Sequence, residues 1–183
     1  MKIALLLENF VDEVEFIYPL YRFKEEAFNV DIIGPSREEF KSKNGLIIKS
    51  KYSIEEIEEE NYDCVFIPGG YAPDRLRRNH KIVSFVEQTY NNNKIVCAIC
   101  HGPWLLISAK IVKDKQVTGH SAIKDDLINA GAIYTGNQVE IDKNLVTGKN
   151  IDALPLMLKS AIELIYKRSN KIDIHSSTTL AKE

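Results

Sequence analysis

The chain has 183 residues, 44% of them hydrophobic and 27% charged, with a formal net charge of -2. That is the composition of one soluble globular domain with chain enough for a real core. It offers no electrostatic basis for binding nucleic acid or an anionic membrane surface, and no apolar run approaches the roughly 20 residues that span a bilayer.

The opening MKIALLLENF has one lysine, a short apolar run and no small-residue cleavage site, so it reads as a strand and not as a signal peptide. Residues 2–7 form a continuous apolar run, typical of a parallel strand buried on both faces. A helix is expected from Glu13 to Phe28, with Val14, Ile17, Leu20, Tyr21 and Phe28 inward and Glu15 in its first turn. A second strand covers Val30 to Gly34. Asn44-Gly45 then signals a hairpin between Glu39–Lys43 and Leu46–Lys49. Ile54 to Glu60 reads as a solvated acidic turn. Asp63 to Ile67 is another buried strand, closed by Pro68-Gly69-Gly70, where glycines allow close backbone approach and can turn N–H groups toward an oxyanion.

Asp74 to Asn79 reads as a polar connection, and His80 to Tyr90 as a helix. Lys94 to Ile99 is an apolar strand that stops at Cys100-His101-Gly102-Pro103, and a helix follows from Gly102 to about Lys110. This is a candidate nucleophile elbow built on cysteine. A thiol at such a bend faces the positive end of the following helix, which favours the nucleophilic thiolate, and a neighbouring histidine can activate it further. Gln116-Val117-Thr118 is a short strand delivering Gly119-His120-Ser121. A helix then covers Ser121 to Ala130, three short strands lie near Ile133, Val139 and Leu145, and a last helix spans Asp152 to Tyr166. Residues 168–183 are polar and without periodicity, so the domain is taken as 1–167 with a C-terminal tail or arm.

Cys64, Cys97 and Cys100 are an odd set, which argues against a disulfide framework and fits a reducing cytoplasm. Cys97 and Cys100 form a CxxC string. With Cys97 inside a strand, however, their Cα atoms would be ~10 Å apart, where a disulfide needs less than about 7 Å. No cofactor or metal is expected. The chain has no helical histidine pair or cysteine cluster, and its first strand leads into Glu8-Asn9-Phe10 instead of a phosphate-cradling loop.

Alternating strands and helices indicate an α/β fold: a mainly parallel sheet with helices on both faces, a flavodoxin-like three-layer α/β/α sandwich. Ligands in such sheets bind beyond the carboxyl ends of the strands. Glu15, Gly69-Gly70, Cys100-His101 and His120 all follow strand ends.

Ala98-Ile99-Cys100-His101-Gly102-Pro103 with Leu105-Leu106 resembles the nucleophile motif of the PfpI-type intracellular peptidase family, which groups with the parkinsonism-associated deglycase in the class I glutamine amidotransferase-like superfamily. The likeness extends to Val14-Glu15 with Ile17-Tyr18-Pro19, to Pro68-Gly69-Gly70-Tyr71-Ala72-Pro73, and to Ile123 through Gly131, covering about residues 1–166. The resemblance implies Cys100 as nucleophile and Glu15 as an acid that hydrogen-bonds its sulfur. It implies oxyanion donors among Gly69, Gly70 and His101, and His101 as the base of the peptidase branch. Asp74 matches the acidic third member of that branch's triad, supplied by a neighbouring subunit of a homo-oligomer (dimer or hexamer). His120 falls where the peptidases often have tyrosine and the deglycase has histidine.

Three functions follow from the resemblance. One is a glyoxalase- or deglycase-type hydrolase of reactive aldehydes or glycated protein, using a Cys100 thiolate with Glu15 and His120 moving protons. Another is a cysteine peptidase running on Cys100, His101 and Asp74. The third is a non-enzymatic stress chaperone that senses oxidants through an exposed thiol of low pKa.

Overall fold

The structure, a computed structural model, describes residues 1–179, with side chains described through residue 168. The apolar runs become strands β1 (Lys2–Leu6), β2 (Asn29–Gly34), the hairpin β3 (Glu39–Lys41) and β4 (Ile47–Lys49), β5 (Tyr52–Ser53), β6 (Cys64–Ile67), β7 (Ile95–Ile99), β8 (Gln116–Val117), β9 (Ile133–Tyr134), β10 (Val139–Asp142) and β11 (Leu145–Gly148). The helices are α1 (Glu13–Glu25), α2 (Ala72–Leu76), α3 (His80–Asn91), α4 (Pro103–Ser108), α5 (Lys124–Asn129) and α6 (Leu154–Thr179).

The main sheet has the order β10-β11-β7-β6-β1-β2-β5 and is parallel except where β10 pairs with β11. β6 and β7 are buried at every residue, and β1 from Ile3 onward, as strands covered on both faces must be. Helices α1 and α6 pack together on one side, α6 also reaching β7 and β11, while α2, α3, α4 and α5 pack among themselves on the other. From β1 the chain moves outward to β2, then returns to place β6 on β1's other side. A crevice forms at the carboxyl ends of strands where the order reverses in this way. Val11, just past β1, bridges to Gly70, just past β6, across that crevice.

Several expectations change, and one short strand is new. On α1 the buried stripe is Glu15, Phe16, Pro19 and Phe23, whereas Val14 and Tyr21 are 49% and 59% exposed. The apolar residues of α1 make two stripes at the same period, and the one that faces the sheet contains a glutamate, which hydropathy cannot place inside. The expected polar connection at Asp74–Asn79 begins instead within α2, a short helix held by buried Ala72, Pro73 and Leu76. β5 is a two-residue edge strand, below the length that alternation can reveal. The last helix passes Tyr166 and runs to Thr179, so the expected tail from 168 is helical over most of its length; residues 180–183 lie outside the described residues. Its expected inward residues Leu154, Leu158, Ala161, Ile162 and Ile165 are all buried.

Candidate active site

Cys100 is the first residue after β7 and adopts φ +59°, a left-handed conformation that a non-glycine residue holds at a cost of about 1–3 kcal/mol. Four backbone hydrogen bonds enforce the bend. Cys100 N–H donates to Gly148 O (3.0 Å), Gly102 N–H to Ile99 O (2.7 Å), His120 N–H to Cys100 O (2.8 Å), and Trp104 N–H to His101 O (3.0 Å). The third of these brings His120, 20 positions along the chain, to the same point. The expected elbow is therefore present, with the sulfur turned toward the crevice.

Glu15 reaches the sulfur from the first turn of α1 and is only 2% exposed. It hydrogen-bonds the Cys100 thiol, and its Oε2 accepts the Gly69 N–H at 2.8 Å. The contact works only because residue 69 has no side chain. A Cβ there would lie 2.3 Å from Glu15 Oε2 and 2.7 Å from Cys100 Cβ. Since Gly69 gives its N–H to Glu15, the backbone N–H groups facing the sulfur are those of Gly70 and His101, and Gly69 leaves the expected oxyanion set. Gly70 sits at φ +72°, against the Phe10 carbonyl and the Asp12 N–H, where a Cβ would find no room.

Burial, with the nearby Asp12 carboxylate, lifts the Glu15 carboxyl from 4.5 to about 7. The Cys100 thiol is pushed up to about 12 by burial, then by the charge of Glu15 and its hydrogen bond, against the pull of the His101 and Gly70 N–H groups. This corrects the expectation that the bend alone yields a thiolate. The six-residue helix behind it does not outweigh burial beside a carboxylate. Ionisation depends on who keeps the pair's proton. When Glu15 holds it, the opposing charge is gone and the carboxylic acid donates to sulfur instead of accepting from it.

His101 Nδ1 lies 3.2 Å from Cys100 Sγ. Its imidazole titrates below 6.5, through burial first and then the neighbouring His120 and Lys43 charges, so it is held as the neutral ring at pH 7. The His101 and His120 rings stack at 4.7 Å and 22°, with Trp104 tilted at 5.0 Å and Tyr71 at 6.3 Å on the other sides. His120 Nδ1 accepts the Ala122 N–H at 3.2 Å, which leaves Nε2 to carry the ring proton.

Asp74 does not join this group within the chain. It lies on α2, ion-paired with Arg78, and lines a groove of about 430 Å³ with Trp104 and Asp126. Trp104 Nε1 donates to Asp126 Oδ2 at 2.7 Å. Cys97 Sγ lies 3.9 Å from Cys64 Sγ, both fully buried, so Cys97 belongs to the core beside Cys64 and away from the site. Among the described residues no cluster of three or more His, Cys, Asp or Glu is arranged to hold a metal ion, and no helix is long and apolar enough to cross a membrane. Tyr71, Trp104 and Lys43 carry no role in the motifs of the sequence. The first two are aromatic neighbours of motif residues, which is a readable signal; Lys43 is a hairpin lysine with none.

The family model for the DJ-1/PfpI family matches residues 1–164. Deglycase PH1704 of Pyrococcus horikoshii is 35% identical over 165 residues, covering 90% of this chain and 99% of its own. Protein/nucleic acid deglycase 2 of Escherichia coli is 35% identical over 167 residues, covering 90% and 97%. Among solved structures, a two-domain protein from Anabaena variabilis with DJ-1/ThiJ/PfpI-like and ferritin-like domains superposes with a TM-score of 0.86 at 36% identity, over 88% of this chain and 47% of that one. The elbow, the glycine pair and the buried acid thus sit in a chain that, end to end of its described core, belongs to the DJ-1/PfpI family.

Proposed function

We propose that the chain is a cysteine-dependent enzyme that converts small reactive 2-oxoaldehydes, such as methylglyoxal, or their adducts on protein, to hydroxy acids. The observation that carries this reading is the buried contact of Cys100 with Glu15, a carboxyl that titrates near pH 7 and so can both hold and release a proton there. The two relatives described above are named deglycases.

In this mechanism Glu15 takes the thiol proton as the Cys100 sulfur bonds to the aldehyde carbon, and it returns that proton to the new oxygen, held by the Gly70 and His101 N–H groups, to give a hemithioacetal and a free Glu15 carboxylate. Glu15 accepts the proton on that carbon, and the neighbouring carbonyl carbon is reprotonated through an ene-diol. The first carbon is thereby oxidised and the second reduced, with no outside oxidant. The product is a 2-hydroxythioester, which water cleaves to the hydroxy acid and the free thiol. His120, whose ring stacks on that of His101 and carries its proton on Nε2, serves as the second proton carrier.

Peptide hydrolysis is the competing reading, and the 3.2 Å approach of His101 Nδ1 to Cys100 Sγ favours it. It needs an imidazole that accepts the thiol proton, whereas burial and neighbouring charge make His101 a weaker base than usual. It also needs an acidic partner for His101, which Asp74 would supply only from a second copy. Wild type and Cys100→Ser, assayed side by side on methylglyoxal and on a fluorogenic peptide, separate the two. The aldehyde reading expects lactate from wild type alone, and it fails if lactate release survives the substitution or if only the peptide is turned over.

A further inference from the structure

The nucleophile pair is flanked by a cation that neither reading of the site uses. The turn between β3 and β4 is clamped onto the start of α1 by two consecutive acids. Glu13 accepts from the Asn44 N–H (2.7 Å), from Asn44 Nδ2 (2.8 Å) and from the Ser42 hydroxyl. Lys43 N–H donates to Val11 O (3.0 Å), and Lys43 Nζ pairs with Asp12 Oδ2 at 2.6 Å. The other oxygen of Asp12 accepts the Val14 and Glu15 N–H groups. One carboxylate therefore joins Lys43 to the backbone that carries Glu15, and it is itself only 8% exposed.

We propose that Lys43 is a positioning residue of the nucleophile site: the hairpin holds its ammonium against Asp12 so that the Glu15–Cys100 pair can carry one negative charge near neutral pH. The proposal rests on the reading of Glu15 and Cys100 as the reacting pair. The titratable and charged groups acting on Glu15 are Asp12 on the approach to α1, Lys43 from the hairpin and Cys100 from the elbow, and the sulfur end of the pair also meets His101 Nδ1 at 3.2 Å. Lys43 in turn feels Asp12, Glu15 and Glu13, and it acts on His101 as well. Asp12 disfavours charge on Glu15 and Lys43 favours it. The sign does not depend on which member holds the proton, because carboxylate with thiol and carboxylic acid with thiolate are both anionic. Removing the lysine leaves that anion facing Asp12 alone.

The test is the pH dependence of iodoacetamide alkylation, which reads Cys100 because Cys64 and Cys97 are fully buried. Lys43→Met should move the midpoint upward by about half to one pH unit, a three- to tenfold loss of rate on the rising limb, the size expected of one half-exposed charge. Lys43→Arg should restore it. Asp12→Asn keeps a good helix cap and removes the charge, so it should move the midpoint downward, and the double variant should lie near wild type. Thermal melts confirm that each variant folds; if Lys43→Met does not, the Asp12→Asn and Lys43→Arg midpoints decide alone. An unmoved midpoint in Lys43→Met, an equal shift in Lys43→Arg, or an upward shift in Asp12→Asn overturns the proposal. No carbonyl substrate takes part. Midpoints that move as stated without Cys100-dependent lactate would sink the aldehyde reading and leave Lys43 its role, and the converse result would do the reverse.

Discussion

Replacing Glu15 by Gln keeps the size of the side chain and an oxygen for the Gly69 N–H, and removes the charge. In the fold the wild-type carboxyl titrates near 7, against 4.5 for an unperturbed glutamate. A folded pKa above the unfolded one means that the fold binds this proton more tightly than the unfolded chain does. Its contribution is fully present below pH 4.5 and is lost as pH rises to 7. The gap of about 2.5 pH units, at 1.36 kcal/mol each, comes to about 3 kcal/mol. Glu15→Gln, neutral throughout, should therefore gain nothing over its acid-pH offset near pH 4 and about 3 kcal/mol near pH 9. For a domain of this size that is a rise of about 6–12 °C in the Tm difference between the two proteins. Paired thermal melts from pH 4 to 9 measure it, and the difference cancels every group the two proteins share. A Tm difference independent of pH would mean that Glu15 titrates as an ordinary surface carboxylate and that the fold does not hold its proton.

Other consequences are simpler to read. Gly69→Ala places a methyl against both Glu15 Oε2 and Cys100 Cβ, so it should cost about 1–3 kcal/mol in denaturant unfolding and strongly reduce alkylation changes with pH, because the pair is forced apart. Asp31, 1% exposed, is paired with Lys51 (2.8 Å) and Lys2 (3.1 Å) and accepts the Tyr62 hydroxyl (3.1 Å). Burial alone would raise its pKa, but the two lysines outweigh burial and hold it below 3.8. Its stabilisation is thus present above pH 4 and lost as pH falls through the depressed value. Asp31→Asn should cost about 1–3 kcal/mol at pH 7, less than a fully buried pair because both lysines stay partly in water, and the gap to wild type should narrow in acid melts. Phe16→Ala, on the buried stripe of α1, should cost about 3–5 kcal/mol, whereas Tyr21→Ala on the exposed stripe should stay within about 0.5 kcal/mol.

Much of this was readable in the residues. The apolar runs at 2–7, 63–67 and 94–99 became the central strands, and Asn44-Gly45 became the hairpin turn, with Gly45 at φ +100°. The elbow was visible because a strand ends and a helix begins with only Cys100-His101-Gly102 between them. What could not be read was which neighbours each group meets. Hydropathy puts Val14 and Tyr21 inside and a glutamate outside, so the true inward face of α1 was hidden by the very residue that gives it chemistry. Gly69 and Gly70 looked like two equivalent oxyanion donors until the structure gave one N–H to Glu15. The thiol's ionisation likewise follows from burial beside a carboxylate 85 positions away, which outweighs the local bend that the sequence displays.

In the proposed reaction Cys100 works with Glu15, and His101 is dispensable as its base. The most direct measurement is lactate release from methylglyoxal by wild type, Glu15→Gln and His101→Ala under one set of conditions. Glu15→Gln should lose at least about a hundredfold in kcat, the usual contribution of a positioned acid–base group, while His101→Ala should keep most of it. Full activity in Glu15→Gln together with loss in His101→Ala would contradict that assignment.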